Sequence, residues 1–105
     1  MHSDSSAGWD FQWDEAKNRT NIRKHGFRLA DAVEMFRGSL VIRPDITEDY
    51  GERRWVGIGV TQGRIALVAF VEREPDIIRI ISLRKANREE RKEYENAIQN
   101  GLETD

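Results

Sequence analysis

Three apolar runs follow one another in the second half of the chain, at 55–61, 64–72 and 77–84, with only Gln62-Gly63 and residues 73–76 between them. Runs of this length, rich in Val and Ile and bounded by Gly, Pro and Asp, read as strands. Links of two and four residues are far too short for a parallel crossover, so each strand must turn back on the last. The result is an antiparallel meander, with Gln62-Gly63 as a two-residue hairpin turn. A weaker run at 40–46 precedes it, and Pro44 confines that strand to a sheet edge because proline cannot donate to a ladder.

The first half changes period. Trp9, Phe11 and Trp13 alternate with Asp10, Gln12 and Asp14, the pattern of a short strand with one buried face. Asp14 is placed to N-cap a helix running to His25, and Gly26 supplies the left-handed residue that ends it. Apolar positions in that helix are few (Ala16 and Ile22), so packing rather than amphipathicity must hold it. Leu29, Ala32, Val33 and Phe36 form a helical stripe closed by Gly38. A last helix begins at Asn87, with Glu90 as its capping-box partner, Tyr94, Ala97 and Ile98 as its stripe and Gly101 as its stop. Residues 1–8 (MHSDSSAG) have no periodicity and read as a disordered leader or tag remnant, leaving 9–105 as the domain. The order β-α-α-β-β-β-β-α predicts a compact α+β single domain: an antiparallel β-sheet with N-terminal helices and a C-terminal helix.

Composition narrows the function. The chain has 105 residues, enough for one core, and no cysteine, which excludes a disulfide scaffold, a Cys-ligated zinc site and a thiol nucleophile. No apolar run approaches the roughly 20 residues of a membrane helix, and the expected location is the cytoplasm. A net charge of −2 argues at first against a nucleic-acid partner. Its distribution reverses the argument. Lys17, Arg19, Arg23, Lys24 and Arg28 stand with His25 in a stretch that holds no acid, and Arg79, Arg84, Lys85, Arg88, Arg91 and Lys92 meet only Glu89 and Glu90. Acids collect instead at 45–52, 72–76 and 93–105, with others scattered through the first 34 residues, so the surface is bipolar.

Candidate chemistry lies in the basic segments. In IIRIISLRK (77–85), uninterrupted alternation places Ile77, Arg79, Ile81, Leu83 and Lys85 on one face and Ile78, Ile80, Ser82 and Arg84 on the other. A guanidinium among isoleucines must reach solvent, pair with an acid such as Glu72 or Glu74, or meet an anionic ligand. His25 is the one histidine of the folded part, and histidine is the side chain type suited to proton transfer near neutral pH. It also serves simply as a cation at a helix C-terminus. Lys17 and Lys24 share its helix face. The acidic run 45–52 lacks calcium-loop spacing and reads as a solvated loop, so no metal site is expected. No nucleophile triad and no Gly-rich phosphate loop occurs. Phosphoryl chemistry here must run on Lys, His and Arg without a metal, which suffices for RNA because its own 2′-OH attacks the adjacent phosphate.

FQWDEAKNRTNIRKHG (11–26), WVGIGVTQGRIALVAFVER (55–73) and IRIISLRKANREERKEYE (78–95) carry the paired signatures W-D-x-x-K-N-x-x-N-I-x-K-H-G and R-I-I-S-x-R-x-A. The chain resembles the BrnT family of type II toxins over essentially all of 11–95. Leu83 stands where many relatives have alanine, and residues before Trp9 have no family counterpart. The resemblance implies a RelE-like ribonuclease fold, metal-independent and cofactor-free RNA cleavage that arrests translation, and neutralisation by a DNA-binding, BrnA-like ribbon-helix-helix antitoxin encoded beside it. Because such an antitoxin dimerises through its ribbon, a heterotetramer of two toxins and two antitoxins is expected, with operator DNA touched only through the antitoxin and no membrane involved. By carry-over Lys24, His25 and Arg79 match active-site positions, and Lys17, Asn21, Arg84 and Lys85 match positions that hold RNA or support the site. The alternative is a non-catalytic module that binds RNA or a protein through the same basic surface.

Overall fold

A computed structural model describes residues 2–6, 8–46 and 51–103. The elements run β1 (His2–Ser6), β2 (Trp9–Trp13), α1 (Glu15–His25), a 3₁₀ turn at Leu29–Asp31, α2 (Ala32–Arg37), β3 (Val41–Pro44), β4 (Trp55–Thr61), β5 (Arg64–Arg73), β6 (Ile77–Lys85) and α3 (Arg88–Glu103). One sheet takes all six strands in the order β1-β2-β6-β5-β4-β3. The meander is present, and Gln62 and Gly63, both at positive φ, make its two-residue turn. Pro44 ends an edge strand, as expected.

Two expectations about the sheet are corrected. It is mixed rather than antiparallel, because β2 pairs parallel with β6 (Phe11 beside Ile78, Gln12 beside Arg79). Alternation in Trp9–Trp13 fixes which face is buried; it carries no information about the direction of the partner. The N-terminal segment is also not without structure, since His2–Ser6, expected to be disordered, pairs antiparallel with β2 as an edge strand. Of the acidic run 45–52, residues 47–50 lie outside the described residues.

The sheet has two unequal cores. On one face Phe11, Trp13, Val68, Phe70, Ile78, Ile80 and Leu83 meet Leu29, Val33 and Met35 from the 3₁₀ turn and α2. On the other, Val56, Ile58, Leu67 and Ala69 form a smaller cluster joined by Ile81 and by Tyr94 of α3. Leu83 and Ile81 are therefore on opposite faces, contrary to simple alternation. A bulge explains this: Ala69 faces Ser82 while Phe70 faces Ile80, so Ile81 is the extra residue and reverses the parity of everything after it.

Local chemistry sets the helix ends. The Asp14 carboxylate accepts from the N–H groups of Ala16 (2.8 Å) and Lys17 (3.2 Å), and Gly26 closes α1 at φ 76°. Asn87 and Glu90 form the expected reciprocal box, each side chain accepting the other's backbone N–H at 2.9 and 2.8 Å. Gly101 does not stop α3, which continues to Glu103. No helix of the described residues is long and apolar enough to cross a membrane.

Candidate active site

With only Asn21 fully buried along its length, α1 is held by amides rather than by an apolar stripe. Asn21 Nδ2 donates to Leu83 C=O (2.8 Å) and Phe27 C=O (3.0 Å), and its Oδ1 accepts from Leu83 N–H (3.0 Å). Asn18 Oδ1 accepts from Leu29 N–H at 2.8 Å and ties the helix to the 3₁₀ turn. These bonds lay α1 alongside β6, beyond the point where β2 has ended.

The helical period then does the rest. Residues 17, 20, 21 and 24 recur on one side of α1, so Lys17, Thr20, Lys24 and His25 come together over Ile81 and Ser82 of β6, around a cavity of about 320 Å³. Lys17, Lys24 and His25 are exposed. A second hollow of about 270 Å³ on the same face shares Ser82 and reaches Arg43, Arg54 and Arg84. Joined at Ser82, they make a groove between α1 and α3 whose α1 side carries Lys17, Lys24 and His25, while its far side also holds Asp45 and Glu90, with Arg43 paired to Glu93 and Arg84 to Glu90.

Arg79 opens on this same face, opposite Val71 and beside Gln12. Glu72 lies on the other face, lining a hollow with Trp55 and Phe70, so register rules out this one of the acids considered for Arg79. The Asp14 carboxyl locates Arg79 further: bonds from Lys17 and Ala16 N–H, then the charges of Lys17 and Arg79, hold it below its ordinary 3.8. Arg79 thus stands near the start of α1. Lys24 and His25 stand ten residues on, about 15 Å along the helix axis. Lys17 lies between them.

Of the residues expected to hold RNA or support the site, two have their bonds taken up within the fold. Asn21 is 5% exposed and its carboxamide is spent on Leu83 and Phe27. Arg84 is paired in bidentate fashion with Glu90 (2.8 and 2.9 Å), which locks β6 to α3. Lys85 remains exposed at the end of β6. Sequence reasoning does not reach Thr20 or Ser82. Helical spacing from Lys17 and Lys24 was available for Thr20, whereas Ser82 reaches the Arg79 face only through the bulge.

The family model described as the ribonuclease toxin BrnT of type II toxin–antitoxin systems matches residues 13–90. Among solved structures, the Brucella abortus ribonuclease toxin BrnT is similar at 34% identity with a TM-score of 0.61, covering 74% of this chain and 96% of that one. The chain belongs to the BrnT family. No curated protein sequence matches it. Membership makes it a ribonuclease toxin of a type II toxin–antitoxin system, with a protein antitoxin as partner. The BrnT match runs from Trp13 to Glu90 and so contains all of α1, the meander and the Arg84–Glu90 lock.

Proposed function

We propose that this toxin is a metal-independent endoribonuclease that arrests translation by cutting RNA, with 9–105 as its toxin domain and a RelE-like fold. The observation that carries the reading is the groove itself: Lys17, Lys24 and His25 converge from α1 on the sheet face that bears Arg79. Lys24 or His25 takes the proton from a ribose 2′-OH. The 2′-oxygen attacks the adjacent phosphorus, the P–O5′ bond breaks, and the leaving 5′-oxygen gains a proton. Products are a 2′,3′-cyclic phosphate and a 5′-hydroxyl. Arg79 offsets the charge that builds on the phosphate oxygens, a role suited to a planar guanidinium with several donors. Arg79, near the start of α1, and Lys24, near its end, would reach one phosphate through their long stems, with Lys17 between them.

The same reading assigns the partner as a BrnA-like ribbon-helix-helix antitoxin in a two-plus-two complex, and the site of action as the cytoplasm. Incubating the purified chain with RNA in EDTA tests the chemistry. Fragments ending in cyclic phosphate are expected. A shifted but intact RNA band would instead establish a non-catalytic binding module.

A further inference from the structure

The basic groove leaves the far corner of the sheet unexplained. There, at the edge strand β3, Ile42 is 50% exposed and Ile46 88%. Ile42, Trp55, Phe70 and Glu72 surround a hollow of about 190 Å³ on the sheet face opposite the groove. Among the described residues, backbone groups at this edge of the sheet are also open. Asp45 N–H donates to Arg54 C=O at 2.9 Å, which fixes the ladder's alternation: Val41 and Arg43 turn their backbone groups towards β4, and Ile42 and Pro44 turn theirs outward. Pro44 has no N–H to present, so Ile42 offers the donor and acceptor pair of this edge, just where the apolar hollow lies.

Charge decides what would settle here. Glu72 lines the hollow, exposed Glu74 and Asp76 follow in the next turn, and Glu52 holds Arg73 at 3.4 Å, against Arg53 stacked over Trp55. Acids outnumber cations, which repels RNA phosphates and attracts a basic peptide. An open donor–acceptor pair beside an apolar hollow matches strand addition, in which the main chain binds along the edge and alternate side chains enter the pocket. We propose that an extended, basic segment of the antitoxin adds to β3 at Ile42 and seats an apolar side chain between Ile42 and Trp55. This rests on the reading of the chain as a toxin with a protein antitoxin. It makes the corner an anchor, on the opposite face from the groove where RNA would be cut.

The test uses the full chain and the full-length antitoxin encoded beside it. Calorimetric titration should give at least tenfold weaker binding for Ile42→Glu, several-fold weaker binding for Glu72→Lys, and weakening of the wild-type complex as salt rises. Hydrogen exchange of the Ile42 amide should slow at least tenfold in the complex. Uncomplexed Ile42→Glu should cut RNA at the wild-type rate. The proposal is overturned if Ile42→Glu binds within twofold of wild type, or if Ile42 exchange is unchanged on binding. It is equally overturned if the free chain dimerises through this patch in sedimentation, or if Ile42→Glu loses affinity for RNA. Absence of cleavage by wild type and variant alike would count against the ribonuclease reading alone, and affinity and exchange would still decide this one.

Discussion

Asn21 pairs with Leu83 as a residue on a neighbouring strand would, donating to its C=O at 2.8 Å and accepting from its N–H at 3.0 Å. β2 lies against β6 only as far as Arg79, so β6 would otherwise show a bare edge from there on. One side chain replaces the missing strand. In doing so it fixes the basic side of α1 over Ile81 and Ser82, which converts a polar helix with no apolar stripe into one wall of the groove.

Asn21→Ala should therefore cost far more than a surface substitution. It removes three bonds and leaves the backbone N–H and C=O of Leu83, which is fully buried, without their partner. Orphaned buried groups of this kind destabilise by about 2–4 kcal/mol, and the midpoint should fall by roughly 10 °C or more. Chemical denaturation measures it. A loss under about 0.5 kcal/mol, ordinary for an exposed site, would show that α1 is held by something else.

The sequence was readable wherever one residue decides a local geometry. Asp14, Gly26, Gln62-Gly63, Pro44 and the Asn87–Glu90 box each act over a few bonds, and each is found in its expected role. Family motifs pointed to the groove through Lys17, Lys24 and His25. What stayed hidden depends on partners distant in the chain. Parallel pairing of β2 with β6 joins segments more than 60 residues apart, and the extra residue at Ile81 only has meaning against Ala69 and Phe70. The family resemblance carried over Asn21 and Arg84 as residues that hold RNA or support the site, and it is Leu83 and Glu90, far along the chain or on the next helix, that show how their bonds are used.

Acid should release the lock between β6 and α3. The two guanidinium bonds from Arg84 hold the Glu90 carboxyl below its ordinary 4.5, assisted by Asn87 N–H and opposed by burial. A folded-state value lower than the unfolded one means that the pair stabilises above the unfolded value and that this is lost as pH falls through the folded value. Arg84 is 39% exposed, so screening keeps the contribution near about 1 kcal/mol. Glu90→Gln should be less stable than wild type at pH 7, with the gap closing as pH drops below about 4.5. A gap that stays constant from pH 7 to pH 3 would contradict the assignment.

Removing the groove's charges should separate chemistry from stability. Arg79→Ala is expected to slow RNA cleavage by about 10²–10³-fold, the usual cost of a donor aimed at developing charge, with a midpoint within a few degrees of wild type. Lys24→Ala and His25→Ala should each relieve growth arrest while the exposed end of α1 stays folded. If the Lys24/His25 double variant remained fully toxic, neither residue would take part, and Lys17, nearer to Arg79, would become the base to test.

The complex with the antitoxin should contain two copies of each chain. A ribbon-helix-helix antitoxin makes its DNA-reading ribbon from two chains, so its dimer is obligatory and carries a two-fold axis. Each half then holds one toxin, and the axis puts the two toxins on the outside with the ribbon left free for operator DNA. The toxin's bipolar surface suits this arrangement, because acids of the antitoxin would meet Lys17 and Lys24 while its basic segments would meet the Glu72 corner. Light scattering of the co-purified complex gives the mass directly. A particle of two plus two is expected at micromolar concentration, and a stable one-to-one heterodimer there would defeat the arrangement without touching the ribonuclease reading.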